Sequence, residues 1–181
     1  VSGYFLGSYV NKLMIDYPIL LLDLRGLMGW RGNIYGALSS KFTTSLFLGE
    51  MRPSLREDKV FEGLTLGTSL SLTSVMILWI IGILKIGRGA FEVLAILLSS
   101  TIFVSILLSY ATAIVSVVPF RKGIDPDAVA SPLVTSISDL LTIPALIAFV
   151  ILFEVEGSYF YTITVALILI TLIISLRFRF D

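Results

Sequence analysis

Residues 128–153 read AVASPLVTSISDLLTIPALIAFVILF, and the only charge among them is Asp139. The run is longer than the roughly 20 apolar residues that cross a bilayer as a helix. It has company: residues 64–84, 93–120 and 157–176 carry no charge at all. Only 14% of the residues are charged, against about 25% in soluble domains, and the mean hydropathy is +0.98. A soluble core of this size cannot hide so much apolar surface. The sequence therefore predicts an all-α integral membrane protein.

Working outward from that run, the chain divides into helices and short charged loops. The apolar residues 1–10 are too short to span and lack a preceding basic region, so they are no signal peptide. They read as the end of a first membrane helix whose start lies upstream. A loop is expected over residues 11–17, then a second helix over 18–48. That helix carries Asp23, Arg25, Arg31 and Lys41 together with Gly26, Gly29, Gly32 and Gly36. The glycines predict a break near residues 29–32, of the kind tolerated at membrane depth only beside a cavity or inside protein. A charged loop over 50–62 leads to a third helix over 63–84. After a turn at 85–92, a fourth helix covers 93–118 with Pro119 near its end. The loop around Asp125-Pro126-Asp127 opens a fifth helix over 132–153, and a turn at 154–158 leads to a sixth over 159–176. The expectation is about five full membrane helices plus the N-terminal remnant, with no internal repeat and no soluble domain.

Loop charges orient the bundle, because Lys and Arg concentrate on the cytoplasmic side. Arg52, Arg56, Lys59, Arg121, Lys122, Arg177 and Arg179 fall on one side; Lys12, Lys85 and Arg88 fall on the other. The first side, with the C-terminus and the Asp125/Asp127 loop, is expected in the cytoplasm. Glu154 and Glu156 then mark the outer boundary, and Asp23 and Arg25 read as an interfacial pair.

The formal net charge is zero, so nothing points to nucleic acid. With no Cys and no His, thiolate and imidazole chemistry and the common ligands of Zn, Cu and Fe are excluded. Any bound metal must be held by oxygen, which selects hard cations.

Helical neighbours lie three or four residues apart. Ser131, Thr135, Asp139 and Thr142 thus form one polar stripe on the fifth helix. Thr101, Ser105, Ser109, Thr112 and Ser116 form a second on the fourth, and Asn33, Ala37, Ser40 and Thr44 a third on the second. Three polar faces suggest a hydrated path. Small hydroxyl residues also recur at helix contacts, and packing is the leading reading of the fourth-helix stripe and of Gly32-xxx-Gly36. Asp125 reads equally as a helix N-cap followed by Pro at the first position or as a collector of cations. Asp139 differs in kind. A carboxylate at helix centre costs about 2.5–3.5 kcal/mol on insertion scales, so its default reading is functional. Pro144 cannot donate to the Leu140 carbonyl, which frees a backbone oxygen near that carboxylate.

The stretch Arg31-Gly32-Asn33-Ile34-Tyr35-Gly36-Ala37-Leu38-Ser39-Ser40-Lys41, followed by Gly49, resembles the glycine-asparagine signature of the MgtE family of magnesium transporters and channels. Gly123-Ile124-Asp125-Pro126-Asp127 with Pro132, Thr135, Ser136, Asp139 and Leu140 resembles that family's second signature. The details look closer to the eukaryotic solute-carrier magnesium transporters and their archaeal relatives than to bacterial MgtE. Lys41 stands where the family pattern has Arg, Thr142 where bacterial MgtE has Gly, and Ser138 where Asn commonly precedes the aspartate. The resemblance runs from Val1 to about Phe153 and does not extend to the regulatory domains of bacterial MgtE.

It implies that residues 1–181 are an MgtE-type transmembrane domain forming one half of a homodimer, in the plasma membrane. It implies Asp139 as the central ion ligand, with Asn33, Gly32, Ser131, Thr135 and Thr142 at or near the path and Asp125 and Asp127 at the cytoplasmic mouth. The transported ion would be Mg²⁺, which keeps its waters and binds through one or two carboxylates, with Mn²⁺ as a second candidate. Channel-like uptake and sodium- or proton-coupled export are both open, as is a non-transporting membrane subunit. An enzyme is not expected: intramembrane head-group transferases need several clustered Asp on neighbouring turns, and Asp139 is the one Asp expected at membrane depth.

Overall fold

The computed structural model describes residues 2–86 and 90–177, and all of its regular structure is helical. Six helices follow in order: α1 (Ser2–Asp16), α2 (Pro18–Phe47), α3 (Asp58–Ile86), α4 (Ala90–Arg121), α5 (Pro126–Val155) and α6 (Gly157–Arg177). Of the loop cations used for orientation, Arg88 and Arg179 lie outside the described residues, as does Val1.

Among the described residues four helices, α3 to α6, are long and apolar enough to cross a membrane. With 30 residues, α2 is about 45 Å long at 1.5 Å per residue. Its length suffices, but its four charges dilute its hydropathy. The bundle compensates by placing α2 in the middle, against α1, α3, α4 and α5. The outermost helix, α6, touches α3, α4 and α5 and leaves most of its residues exposed. This is a multi-pass membrane protein.

Several boundaries differ from expectation. Residues 11–16 continue α1 as helix, because Leu13 is buried in the core and Lys12 ion-pairs with Glu154 at the far end of α5. α3 begins at Asp58, whose carboxylate sits in the first turn of the helix, where the dipole favours it. α5 begins at Pro126. The Asp125 side chain caps it, its Oδ1 accepting the Asp127 N–H at 3.1 Å, with Pro at the first position. The expected break at residues 29–32 is absent, and α2 is unbroken from Pro18 to Phe47. Its glycines cost helix propensity, but no Pro interrupts the ladder and neighbours on several sides hold it. Gly26, Gly32 and Gly36 instead provide close approach, to Leu78 of α3 and to Thr135 and Ser131 of α5, whereas Gly29 faces open space.

Two turns do need glycine freedom. Gly49 and Gly123 have φ of 72°, and each follows the end of a helix. At Gly123, the N–H of Gly123 bonds the Phe120 carbonyl and that of Ile124 bonds the Pro119 carbonyl, both at 3.0 Å. This paired arrangement is a Schellman cap, which satisfies the last carbonyls of α4.

The apolar core has two parts. One gathers Leu20, Leu24, Leu27, Ile96, Leu97, Ile143, Leu146 and Phe149. The other gathers Tyr35, Leu38, Phe42, Val104, Leu108 and Val134. Between Leu27 and Tyr35 on α2 stands Arg31, and between Leu97 and Val104 on α4 stands Thr101. The two cores are therefore separated by a buried polar layer.

Candidate functional site

Gly32 and Gly36 lie one turn apart on α2, and both face α5. A Cβ on Gly32 would stand 3.4 Å from Thr135 Cγ2, and one on Gly36 would stand 3.5 Å from Ser131 Oγ. The helices therefore run antiparallel here, with a pair of glycines against a pair of hydroxyl residues. Large side chains on either strip would force the backbones apart.

That contact fixes which side each neighbour faces. On one flank of the seam lies α4, since Arg31 bonds Thr101 and Ser138 is fully buried. Successive helical residues turn by about 100°. On α2 the turn from Gly32 away from Arg31 leads to Asn33. On α5 the turn away from Ser138 leads to Asp139 and Ser136. Because the helices are antiparallel, these residues share the other, open flank. The exposures agree: Gly29, Asn33, Ala37, Ser40 and Thr44 of α2 are exposed, as are Pro132, Ser136 and Leu140 of α5, and Asp139 is half-buried. Asp139 lies one turn along α5 from the Gly32–Thr135 contact.

The residues singled out in the sequence thus separate into groups. Gly32, Ser131 and Thr135 form the seam, while Asn33 and Asp139 stand on its open flank. Thr142 does not face that flank. It is fully buried on the α4 side, donates to the Ser138 carbonyl at 2.7 Å and accepts from Arg31 Nη1 at 3.1 Å. Its burial and bonding set Thr142 on the other side of the seam from Asn33. Its spacing of three from Asp139 rotates it off the Asp139 face toward the core. Asp125 and Asp127 lie exposed at the N-terminus of α5, several turns from Asp139.

The fourth-helix stripe also resolves as interior packing. Thr101, Ser105, Ser109, Thr112 and Ser116 are all fully buried. Tyr35 Oη donates to the Ser105 carbonyl at 3.3 Å, and the hydroxyls of Ser39 and Ser116 meet at 3.2 Å. Asp23 and Arg25 do not pair: Asp23 is buried beside Gly82 of α3, whereas Arg25 is exposed. Residues two apart on a helix face different directions.

Arg31 is the residue that the sequence reading left without a role. The residue is 3% exposed, and its guanidinium bonds Thr101 Oγ1 at 2.7 Å through Nη2. The available signal was its spacing: Arg31, Tyr35 and Ser39 recur every four residues, opposite the stripe of hydroxyls on α4.

Among the described residues no three acidic side chains come together as a metal cluster. Beside the seam a single chain offers one carboxylate, the Asn33 amide and hydroxyls. A cavity of about 180 Å³ opens between α3 and α6, and one of about 630 Å³ opens among the loop at Leu55 and Arg56, α3, Tyr110 of α4 and α6, both away from Asp139.

Solute carrier family 41 member 3 of Mus musculus is 26% identical over 156 residues, covering 81% of this chain and 30% of its own length. The protein of the same name in Rattus norvegicus is 26% identical over 156 residues, covering 81% of this chain and 32% of its own. Solute carrier family 41 member 2 of Gallus gallus is 29% identical over 129 residues, covering 66% of this chain and 22% of its own. The chain spans about a third or less of the length of these curated relatives. No solved structure matches. The family described as MgtE, divalent cation transporter, matches residues 25–149, from the exposed Arg25 of α2 to the buried Phe149 of α5. That span is well over half of the 181 residues and contains the whole α2–α5 seam, and the chain belongs to the MgtE family of divalent cation transporters.

Proposed function

We propose that this chain carries Mg²⁺ across the membrane along the open flank of the α2–α5 seam, with Asp139 as the ion's central ligand. The single observation that carries this reading is the half-buried Asp139 carboxylate on an open face shared with Asn33, inside the span that matches a divalent cation transporter family. A carboxylate at membrane depth is retained where an ion or partner offsets its cost.

One Asp139 supplies one negative charge, so a second copy of the chain facing the same flank would match a divalent ion. On this reading residues 1–181 are one half of a homodimer with the path at or near the two-fold axis. The exposed strip from Gly29 to Thr44 and the exposed Pro132, Ser136 and Leu140 would meet the partner or line the path. Asn33 donates and accepts hydrogen bonds, and it would hold the water shell that Mg²⁺ gives up reluctantly. Gly32, Gly36, Ser131 and Thr135 keep the two helices close enough for Asn33 and Asp139 to act on one ion.

The charged ends support an orientation. Arg121 Nε donates to the Pro53 carbonyl at 2.6 Å, so the basic residues of the 50–57 loop and of the α4 end gather at one end of the bundle. Lys12 and Glu154 pair at the other end. With the more basic end in the cytoplasm, Asp125 and Asp127 stand at the cytoplasmic mouth and the C-terminus is cytoplasmic, in a plasma membrane. An all-oxygen donor set suits Mg²⁺ and also Mn²⁺.

Flux of Mg²⁺ into liposomes holding the purified chain, with and without a sodium or proton gradient, tests the reading. Saturable flux supports it, and a requirement for either gradient would mark a coupled exporter rather than a channel. No Mg²⁺ flux from folded protein under any gradient would refute it in favour of a non-transporting subunit.

A further inference from the structure

Arg31 sits in the polar layer between the two apolar cores, where α2, α4 and α5 meet. Both hydrogen bonds of its guanidinium go to neutral hydroxyls, Thr101 Oγ1 and Thr142 Oγ1. It belongs to none of the ion pairs among the described residues, which are Lys12–Glu154, Lys41–Glu62 and Lys59–Glu50. Its Nε has no hydrogen-bond partner. Nothing in this packing requires a charge, since an amide or a hydroxyl could satisfy the same two threonines. A buried cation is costly, and a guanidinium cannot escape the cost by losing its proton.

The position of that charge relative to the proposed path is specific. Arg31 and Gly32 are consecutive, and they bracket the Asp139 turn of α5. Gly32 packs on Thr135, one turn before Asp139, and Arg31 bonds Thr142, one turn after it. One helix turn and one hydrogen bond place the guanidinium roughly 10 Å from the Asp139 carboxylate. It approaches from the α4 side, so it is near the ion site without lining the path.

We propose that Arg31 is a fixed counter-charge for the Asp139 site, which weakens divalent binding there so that the ion is released rather than trapped. This rests on Asp139 being the cation site. Conduction requires binding that is favourable enough to admit an ion and weak enough to let it leave. In a pair of chains, two Asp139 carboxylates would be offset by two guanidiniums. The site then has no net charge before the ion enters, and the repulsion acts twice as strongly on a divalent ion as on a monovalent one.

The half-saturating Mg²⁺ concentration for flux into liposomes tests this, with folding followed by thermal melting. Arg31→Gln removes the charge and is expected to lower that concentration about tenfold or more. Arg31→Lys keeps the charge and is expected to stay within about threefold of wild type. Thr101→Asp gives Arg31 a carboxylate partner on α4, cancelling its charge while preserving the junction, and is expected to lower the value as Arg31→Gln does. It decides the matter if Arg31→Gln does not fold. A purely structural Arg31 predicts altered melting with an unmoved half-saturating concentration in folded Thr101→Asp, and that result would overturn the proposal. So would tightening in Arg31→Lys equal to that in Arg31→Gln. Failure of the underlying reading is distinct: Asp139→Asn would then leave Mg²⁺ flux and its concentration dependence unchanged.

Discussion

Gly32 of α2 and Thr135 of α5 touch so closely that a Cβ on the glycine would stand 3.4 Å from the threonine methyl. That is ordinary van der Waals contact for one added methyl and a clash for anything larger. Gly32→Ala should therefore fold with a melting temperature close to that of wild type. Gly32→Leu should cost about 1–3 kcal/mol through overpacking and should abolish flux by separating Asn33 from Asp139. Equal melting and flux for both variants would show that the seam does not depend on this contact.

Asn33 stands exposed on the same flank as Asp139, and exposed positions contribute little to stability. Asn33→Leu is expected to melt like wild type in detergent but to transport Mg²⁺ at least tenfold more slowly, since it cannot hydrogen-bond the ion's waters. Wild-type flux in this variant would remove Asn33 from the path.

The bundle was legible in its apolar runs because length and lack of charge are sufficient signals for α3 to α6. Asp139 stood out for the same reason, as a lone carboxylate in such a run. What the sequence hid was direction. Periodicity groups Thr101, Ser105, Ser109, Thr112 and Ser116 on one face but does not say what that face meets. It meets Arg31, Tyr35 and Ser39 of α2 rather than water. Thr142 is hidden in the same way: a step of three from Asp139 keeps it adjacent but turns it toward the core, where Arg31 binds it. The break expected at residues 29–32 did not occur because glycine has two uses, flexibility and close approach, and only tertiary contacts tell them apart. The segment 11–16 was hidden because its polar residues resemble a loop. Burial of Leu13 and the Lys12–Glu154 pair make it helix.

The native chain has no cysteine, so one introduced thiol reports one position. Ser136 of α5 is exposed on the proposed path flank, and Thr73 of α3 is exposed elsewhere. Ser136→Cys should cross-link to a dimer with a short bismaleimide in membranes at low protein density, and Thr73→Cys should remain monomeric on denaturing gels. Dimers at Thr73→Cys with none at Ser136→Cys would place the interface on another face.

Glu50 and Lys59 tie the loop after α2 to the start of α3, with Nζ and Oε2 2.7 Å apart. The hydrogen bond and charge of Lys59 hold the Glu50 carboxyl below its ordinary value of 4.5. A carboxyl depressed in the folded state contributes stability above its ordinary value, and that contribution disappears as pH falls through the depressed one. Glu50 is exposed and Lys59 only half-buried, so the effect is local and small. Amide exchange in residues 50–57 should be faster in Glu50→Gln than in wild type at pH 7, with the two converging once acid protonates Glu50. Identical exchange at pH 7 would show that the pair does not order the loop.

The central claim is that the half-buried carboxylate of Asp139 carries the transported cation. The most direct measurement compares Mg²⁺ flux into liposomes for wild type and Asp139→Asn at matched protein content and matched melting temperature. The substitution keeps the size of the side chain and removes its charge. The account predicts a loss of flux of about a hundredfold or more, the scale expected when a buried charged ligand is removed. Flux within about twofold of wild type in the well-folded variant would contradict it.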